Sequence, residues 1–430
     1  MSTALKAIIV GAGHRAITYA SYAENYPDEL QIVGVADPTP LRREQTAARF
    51  SLTDDQCYES AEQLAALPKR ADFIINGTMD HQHVPTSLPL LERGYDMLLE
   101  KPFATSEEEM EQLVAAAHKN QAKVAICHVL RYTPFYATIR QKVADGAIGE
   151  VLSVQAVEHV SYHHMAVGFI RGKWSQKDHC HSPMLMAKSC HDLDMISWMK
   201  SGVQPTRISS FGSNFQFRPE KAPENSGTRC LVDCPIEAEC LYSARKHYID
   251  HPERWSFYVW DSLEHIEKPS MEEKMASLKT SPYGQCVWKT DMDVVDHQSV
   301  AIEFADGCTA TLNMIGGTAK PSRSIHLVGT KGEIQGNMED STFVLRHIDP
   351  RPGCEYSEEI IDVNVQGDMT GAQGGHGGGD MRLVEDFIKV LNGSAPSISS
   401  TPIADSISGH RIGFIADRAM HTGQTITLNT

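Results

Sequence analysis

Lys101 follows a short apolar run that ends at Leu99, and it stands between Glu100 and Pro102. An apolar run that ends in charged residues is typical of a buried parallel strand, at the sheet edge where open α/β folds place their chemistry. Because Pro102 cannot donate to a strand ladder and disfavours helix at the residue before it, the strand should end here. A partly desolvated lysine at that edge can give or take a proton, so Lys101 is a candidate catalytic residue. An ordinary solvated lysine is the alternative.

A second candidate pair, Lys188 and His191, lies farther along the chain. Their spacing puts both on one face of a helix, together with Met195, while apolar residues such as Leu193 point into a core. A histidine held on such a face can act as a general base, and a buried structural histidine is the alternative. The candidate catalytic residues are therefore Lys101, Lys188 and His191.

A glycine-rich turn near the start of the chain predicts a phosphate site. A short apolar strand ends at Val10 and runs straight into a Gly-Ala-Gly-His-Arg-Ala turn. The two glycines permit a tight turn and close approach of a pyrophosphate, and the small final alanine lets the next helix pack closely on the sheet. The amino end of that helix would face the phosphates. The predicted cofactor contacts in this turn are Gly11, Gly13, His14, Arg15 and Ala16.

The next strand, 31–36, ends in Asp37, 24 residues beyond Gly13. An acid at that point accepts the ribose hydroxyls of NAD. A carboxylate there repels a 2′-phosphate, whereas Arg42 and Arg43 in the following helix could clamp one. NAD is therefore the expected cofactor, with NADP left open.

Strands and helices continue in alternation up to residue 128, which predicts a doubly wound parallel sheet. The strand 72–76 is followed by a loop whose Thr78 and His83 could touch the cofactor or cap the following helix. The dinucleotide-binding domain is thus predicted over 1–128, and a substrate and oligomerisation domain over 129–430. The remaining predicted cofactor contacts are Thr78, His83, Glu100, Lys101 and His128.

Composition and charge narrow the class of protein. A chain of 430 residues exceeds one average domain and favours two. The formal charge of −16 argues against binding to nucleic acid or a membrane surface. No apolar run approaches the ~20 residues of a membrane span, and ten cysteines are too few for a disulfide scaffold. We therefore expect a cytoplasmic protein that binds neither nucleic acid nor membranes.

From residue 129 onward the chain offers polar and aromatic candidates for a substrate pocket. A dense group of histidines occupies 159–181, and Trp174 among them offers a stacking face for a sugar ring. Exposed loop residues without a role are the alternative. A glycine-rich run, 371–379, could bring His376 to the pocket or form a linker. The predicted substrate contacts are Arg131, Tyr132, His164, Arg171, Trp174, Asp192 and His376.

The second domain is predicted to contain a broad, mainly antiparallel sheet. Residues 151–160 alternate as a strand, and the segments 300–304 and 309–314 flank an Asp-Gly turn that is typical of a hairpin. The segments 325–329 and 342–348 continue the antiparallel part.

An irregular insertion is predicted at about 212–286, where apolar periodicity is weak. Three cysteines occur there within 11 residues, and in a reducing compartment they favour a structural metal over a disulfide. A closed tetrahedral zinc site needs a fourth ligand, and ordinary reduced cysteines are the alternative. The predicted ligands are Cys230, Cys234, Cys240 and Cys286, with His247 as the second choice for the fourth.

The chain contains three motifs, at Gly11–Ala16, Glu100–Pro102 and His191–Asp194. Together they resemble the Gfo/Idh/MocA family of oxidoreductases, which includes inositol dehydrogenases and glucose–fructose oxidoreductase. The resemblance implies an N-terminal Rossmann domain and a C-terminal α/β domain with a large open mixed sheet. That sheet often makes oligomer contacts, so a homo-oligomer, dimer or tetramer, is expected. The resemblance also implies that Lys101 is the family's motif lysine and His191 its active-site histidine.

One position departs from the family pattern. Many members carry an aspartate four residues before the histidine, and here that position is Ala187. Lys188 or Asp192 could replace this missing acid–base partner. The resemblance therefore implies NAD-dependent hydride transfer at a hydroxyl carbon of a sugar, glycoside or cyclic polyol. A glycosidase that oxidises and re-reduces its substrate on tightly bound NAD is the alternative, and a sugar-sensing protein is the third.

Overall fold

The structure, a computed structural model, describes residues 4–363 and 377–428, which build two β-sheets. The glycine-rich run is only partly covered, and His376 lies outside the described residues. Its contact with substrate therefore stays a prediction. Apolar clusters cover both faces of the first sheet, and a separate, larger cluster lies on one face of the second.

The first sheet consists of parallel strands that are apolar along most of their length. They are β1 (Leu5–Val10), β2 (Leu30–Ala36), β3 (Cys57–Tyr58), β4 (Phe73–Asn76), β5 (Asp96–Leu99) and β6 (Val124–Ile126). Their order is β3-β2-β1-β4-β5-β6, and every neighbouring pair is parallel. Consecutive buried positions are expected of parallel strands covered on both faces. This is the doubly wound order of dinucleotide-binding domains, which confirms the predicted fold.

Helices connect and cover the two sheets. They are α1 (His14–Ala20), α2 (Tyr22–Asn25), α3 (Pro40–Phe50), α4 (Ala61–Ala65), α5 (His83–Glu92), α6 (Glu107–Lys119), α7 (Pro134–Ala144), α8 (Tyr162–His164), α9 (Lys177–Cys180), α10 (Met184–Met199), α11 (Met271–Thr280), α12 (Gly379–Leu391) and α13 (Ile403–Thr422). Helix α6 shows how a local signal sets a helix start: the Ser106 hydroxyl accepts the backbone N–H of Glu109 at 3.1 Å and caps the helix.

The second sheet is large and mixed. Its strands are β7 (Val151–Ser161), β8 (Pro205–Ser213), β9 (His297–Phe304), β10 (Thr309–Thr318), β11 (Ser322–Gly329), β12 (Gly332–Asn337), β13 (Thr342–Ile348), β14 (Tyr356–Asp362) and β15 (Ile426–Thr427). They lie in the order β14-β13-β12-β11-β7-β10-β9-β8-β15. Only β7 and β10 pair in parallel, so the prediction of a mixed, mainly antiparallel sheet is confirmed.

The chain returns to the first domain near its end. Helix α12 packs on the first sheet, where the ring of Phe387 meets that of Phe73 with centroids 5.3 Å apart. Helix α13 begins at Ile403 in the core on the opposite face of that sheet, and it then continues into the core of the second sheet. The two predicted domains therefore share their last helices, which ties the two sheets together.

The irregular insertion joins β8 to β9. Because β8 continues to Ser213 and β9 begins at His297, the segment without strands spans 214–296, longer than the predicted 212–286. Helix α11 and short single turns are its regular parts. No helix within the described residues is long and apolar enough to cross a membrane.

Candidate active site

Lys101 stands directly after β5, as the sequence predicts, and the Lys101–Pro102 peptide bond is cis. The Nζ atom donates to the carbonyl oxygen of Ala187 at 3.0 Å. Ala187 belongs to α10, so this lysine of the first domain reaches the helix of the second domain that carries the other candidates. Because His191 follows Ala187 by about one helical turn, the contact brings two predicted catalytic residues to one junction.

His191 lies on α10, nearly all of which is buried, and it is 5% exposed. Its ring centroid lies 5.8 Å from that of His128, and His128 is fully buried with its Nε2 atom 3.8 Å from Asp194 Oδ1. Burial, with the nearby cations Arg131 and Lys101, holds the pKa of His128 well below its ordinary value. His128 is therefore a neutral ring beside His191, and its contact with the cofactor stays a prediction.

Lys188 belongs to a buried network of two cations and two carboxylates. Its Nζ atom lies 3.0 Å from Glu158 Oε1, and Arg323 Nε lies 2.6 Å from Glu158 Oε2 and 3.1 Å from Asp192 Oδ1. Glu158 on β7 and Arg323 on β11 are cross-strand partners in register. Neither residue could be identified from the sequence pattern, because only the register of two distant strands places them side by side.

Burial shifts the proton affinities in this network. It lowers the pKa of Lys188 in spite of the adjacent Glu158, and it raises the pKa of Asp192 to about 7 in spite of Arg323. Asp192 is 3% exposed and is bound to Arg323, while its contact with substrate stays a prediction. Lys188 itself is well placed to exchange a proton, because desolvation disfavours its charged form.

The glycine turn has the geometry that a pyrophosphate requires. Gly11 adopts a φ of +76°, and a Cβ atom there would lie 2.8 Å from the backbone nitrogen of Thr78, so only glycine fits. At Gly13 a Cβ atom would meet nothing closer than the Gly77 carbonyl oxygen, 3.9 Å away. Helix α1 begins directly after Gly13, with no acid in its first turn and no side-chain cap. These residues fit a bound dinucleotide, whose phosphates favour a free helix start.

Asp37 stands at the end of β2, where an NAD ribose is expected. Its two carboxylate oxygens accept the backbone N–H groups of Ala12 and Thr39, each at 2.8 Å, and each oxygen keeps capacity for a further donor. Arg43 donates to the Asp37 carbonyl oxygen at 2.5 Å, and Arg42 pairs with a carboxylate of the insertion at 3.2 Å. Both arginines considered for a 2′-phosphate are therefore engaged within the chain.

Arg15 and Glu100 form a buried cluster with Tyr19 and Asp380. Arg15 Nε lies 2.8 Å from Glu100 Oε1, and its Nη2 atom bonds Asp380 Oδ1 at 2.5 Å and the Tyr19 hydroxyl. Burial acts to raise the pKa of Glu100, but Arg15 and Lys101 outweigh it and hold the pKa below its ordinary value. The side chains of Arg15 and Glu100 thus secure the turn against β5 and α12, and their contacts with the cofactor stay predictions.

An aromatic arm of the insertion, residues 255–258, reaches both domains. Trp255 stacks on His164 with ring centroids 3.9 Å apart and an interplanar angle of 13°. Phe257 stacks on His14 at 4.6 Å and 23°. Burial, with the cations Lys188 and Arg323 nearby, holds the pKa of His164 well below its ordinary value. The arm therefore lies beside the candidate catalytic residues and touches the first residue of α1. Nothing in the sequence pattern indicated this contact.

Trp174 packs against the same arm, with its ring at 5.9 Å from that of Tyr258 in an edge-on arrangement. The ammonium group of Lys173 lies 4.5 Å from the Trp174 ring centroid and 5.5 Å from that of Tyr258. Trp174 thus lies among the aromatic rings near the candidate catalytic residues, with the ammonium group of Lys173 over its ring. Its role as a stacking face for a sugar stays a prediction.

The two predicted substrate contacts at the start of the second domain are buried side chains with partners within the fold. Arg131 is 1% exposed and forms a bidentate ion pair with Asp194, at 2.8 and 2.6 Å. Tyr132 donates its hydroxyl to Asp386 on α12 at 2.9 Å. Both side chains join elements of the fold, and their contacts with substrate stay predictions.

Three further predicted contacts are also engaged within the protein. The two ring nitrogens of His83 lie 2.7 Å from the Pro102 carbonyl oxygen and 3.0 Å from that of Thr78, and its contact with the cofactor stays a prediction. Thr78 donates its hydroxyl to Asn76 at 2.9 Å, while its backbone lies against Gly11. Arg171 is buried against the insertion, where it donates to the Tyr242 carbonyl oxygen at 2.8 Å, and its contact with substrate stays a prediction.

The four predicted zinc ligands line one small cavity in the insertion, together with Arg171. All ten cysteines are free thiols. Within 4–363 and 377–428, no group of three or more His, Cys, Asp or Glu side chains is arranged to hold a metal ion. The ring of His247, the second choice for a fourth ligand, contacts the Leu241 carbonyl oxygen at 2.8 Å.

The fold and the phosphate turn define an oxidoreductase with an NAD-binding domain, and comparison with known families agrees. Residues 5–128 match the oxidoreductase family described as an NAD-binding Rossmann fold. Residues 140–428 match the C-terminal α/β domain of the same oxidoreductase family. The chain therefore belongs to the Gfo/Idh/MocA family, as its three motifs indicated.

Similar proteins are distant relatives. The putative oxidoreductase YteT of Bacillus subtilis is 24% identical over 376 residues, 85% of this chain and 83% of the relative. Inositol 2-dehydrogenase of Corynebacterium glutamicum is 23% identical over 200 residues, 46% of this chain and 55% of the enzyme. A levoglucosan dehydrogenase in complex with NADH and levoglucosan has the same fold, with a TM-score of 0.68, 16% identity and full coverage of both chains. The WlbA dehydrogenase of Bordetella pertussis gives 0.66 at 13% identity, covering 99% of each chain.

Proposed function

We propose that this protein transfers hydride between NAD and a hydroxyl carbon of a sugar, glycoside or cyclic polyol. The observation that carries the proposal is the 3.0 Å contact from Lys101 Nζ to the Ala187 carbonyl oxygen. It brings an ammonium group from the edge of the nucleotide-binding sheet to the helix that bears Lys188 and His191. Relatives named for inositol and levoglucosan support a polyhydroxylated ring as the substrate class.

Lys101 and His191 are the two candidates for removing the hydroxyl proton in this proposal. Bound NAD would supply the hydride acceptor. Either Lys101 or His191 removes the hydroxyl proton, and the positive charge of Lys101 stabilises the alkoxide as it develops. The neutral ring of His128 lies beside that of His191 and adds no positive charge there.

Lys188 is proposed to replace the aspartate that relatives carry at the position of Ala187. Changing Lys188 to Met should lower kcat by about 100-fold, the lower end of the usual effect of a general acid or base. In the oxidation direction, activity of the native enzyme should rise as pH passes the lowered pKa of Lys188 and frees its amine. The variant should lack that rise. The measurement is kcat against pH for both proteins.

Glu158→Gln is a second variant that tests whether Lys188 sets the pH dependence of activity. It keeps a hydrogen-bond partner for Lys188 but removes the negative charge that favours the ammonium form. The rise in activity should therefore shift to lower pH in this variant. A pH profile of Lys188→Met identical to that of the native enzyme would exclude Lys188 from the proton chemistry.

Substrate turnover distinguishes the leading function from the alternative. With NAD and a panel of sugars, polyols and glycosides, we expect at least one compound to yield one NADH per molecule oxidised. The redox-neutral glycosidase would instead release the aglycone without net NADH. Cofactor binding without turnover on the whole panel would favour the sugar-sensing alternative and reject both enzymatic proposals.

One observation favours keeping the glycosidase alternative. Phe257 of the aromatic arm stacks on His14 at the start of α1, and Arg42 on α3 pairs with Glu264 just beyond the arm at 3.2 Å. These contacts cover the edge of the nucleotide-binding domain and would slow release of NAD, as a redox-neutral cycle requires. NADP is not favoured, because Arg42 and Arg43 already have partners. The predicted homo-oligomer remains to be tested by the mass of the protein in solution.

A further inference from the structure

The insertion brings all four of its cysteines to one cavity, although they are spread over more than fifty residues. The cavity has a volume of about 10 Å³ and is lined by the four thiols, Arg171 and neighbouring apolar residues. This is about the space of one water molecule, so it suits a single ion rather than a multi-atom cluster.

Backbone pairing sets two of the cysteines side by side. Arg229 and Gln285 form an antiparallel bridge. The N–H of Cys230 donates to the Gly284 carbonyl oxygen at 2.9 Å, and the N–H of Cys286 donates to the Thr228 carbonyl oxygen at 2.9 Å. Because side chains alternate along paired strands, Cys230 and Cys286 lie on the same face as diagonal neighbours. The pairing thus brings two cysteines that are far apart in the chain next to each other.

The other two cysteines, Cys234 and Cys240, follow tight turns and line the same cavity. Asp233 accepts the backbone N–H of Arg229 at 2.7 Å and so closes the turn that precedes Cys234. The backbone N–H of Tyr242 donates to Cys240 Sγ at 3.3 Å. An N–H two residues beyond the cysteine, directed at its sulfur, stabilises the thiolate, which is the form that binds metal.

Arg171 adds a positive charge beside this group. Its Nη2 atom donates to Cys230 Sγ at 3.4 Å and to the Tyr242 carbonyl oxygen at 2.8 Å, and its Nε atom donates to the Gln285 carbonyl oxygen at 2.7 Å. A buried guanidinium would partly offset the net negative charge of four thiolates on one divalent ion. Within the described residues, no carboxylate is among the hydrogen-bond partners of this buried cation.

We propose that Cys230, Cys234, Cys240 and Cys286 bind one Zn²⁺ ion that anchors the aromatic arm over the phosphate-binding turn. The side chains as described are not yet arranged as a coordination shell. All four cysteines line one ion-sized space, and coordination at about 2.3 Å would require their side chains to move toward a common centre. Four thiolates leave no open position for water or substrate, which makes the ion structural.

The link from the cysteines to the arm is a continuous apolar cluster. Cys230 packs with Tyr248 and Val259, and Trp255 and Tyr258 of the arm pack against the same group. The Tyr248 hydroxyl also receives a hydrogen bond from Arg171 at 3.2 Å. Loss of the ion should therefore loosen the arm where Phe257 covers His14, and weaken retention of NAD without touching the proton-transferring residues.

Elemental analysis of the purified full-length protein is the first test, and it needs no variant. We expect about one zinc per chain, the stoichiometry of one closed site. A mercurial reagent that titrates thiols should release this zinc in step with the modification of four cysteines. Zinc-free protein with full thermal stability would overturn the proposal. Iron with acid-labile sulfide would equally overturn it, because the cavity would then hold a cluster.

Cys234→Ser is the decisive variant, and Cys354→Ser is its matched control, since Cys354 is exposed and outside the cavity. Cys234→Ser should lose zinc, unfold at lower temperature and bind NAD several-fold more weakly, while Cys354→Ser keeps all three properties. Zinc bound equally by both variants would reject the ligand assignment. Should Cys234→Ser prove insoluble, zinc release from the native protein and the accompanying change in NAD affinity decide the same question.

Discussion

Replacing Lys101 with Met is expected to lower kcat by about 10³- to 10⁴-fold, the upper part of the range for a group that both transfers a proton and stabilises charge. Methionine keeps most of the side chain's length and apolar volume but removes the ammonium group. The affinity for NAD should change little, because the phosphate turn at Gly11 and Gly13 and the acid Asp37 lie elsewhere on the first sheet. The measurements are kcat with a substrate from the sugar panel and NAD affinity by fluorescence titration.

Lys119→Met is the matched control for this variant. Lys119 is an exposed lysine at the end of α6 in the same domain, and its loss should leave kcat unchanged. If Lys101→Met retained native turnover, the assigned active site would be wrong. If turnover and NAD affinity fell together, Lys101 would instead be a binding residue for the cofactor.

Replacing Asp194 with Ala is expected to lower the free energy of unfolding by about 3–5 kcal/mol, the usual cost of breaking a buried ion pair. Asp194 accepts two hydrogen bonds from Arg131, at 2.8 and 2.6 Å, and both side chains are 1% exposed. The substitution would leave a buried guanidinium without its carboxylate. Because Asp194 lies on α10 beside His191, the same change should loosen the helix that positions the catalytic group. Urea denaturation followed by circular dichroism measures the loss.

Glu24→Ala provides a control with the same pairing but different burial. Glu24 holds Arg49 with two bonds of 2.8 Å, and both side chains are 41% exposed. Solvent screens this pair, so its loss should cost only about 0.2–1 kcal/mol. A double variant, Arg131→Met with Asp194→Leu, should be less destabilised than Asp194→Ala, since no charge stays buried alone. Equal losses for Asp194→Ala and Glu24→Ala would show that burial does not control the strength of the Asp194 pair.

Much of the first domain could be predicted because its signals are local. An apolar strand, a glycine turn and a helix follow one another within a few residues, and each step has a physical reason that neighbouring residues supply. Lys101 was found in the same way, from a strand that ends in a charged residue and a proline. The placement of Lys188 and His191 on one helix likewise needed only helical periodicity.

Side-chain contacts are harder to predict than helices and strands. His128, Arg131 and Tyr132 were expected to meet ligands; all three are buried in the described fold, and their ligand contacts stay predictions. Polar residues near a predicted site look alike in the sequence whether they face the pocket or the scaffold behind it. The direction of a side chain is set by packing against distant elements, and local spacing carries no signal of it.

The sequence by itself determined the class of the protein, through strand, turn and helix patterns that depend on neighbouring residues. Tertiary structure alone decided the partners within the site. Glu158 meets Arg323 through the register of two strands, Arg15 meets Asp380 because α12 returns to the first sheet, and the insertion lays Phe257 on His14. Each of these contacts joins segments far apart in the chain, so only the packing of the whole fold brings their charges and rings within interaction distance.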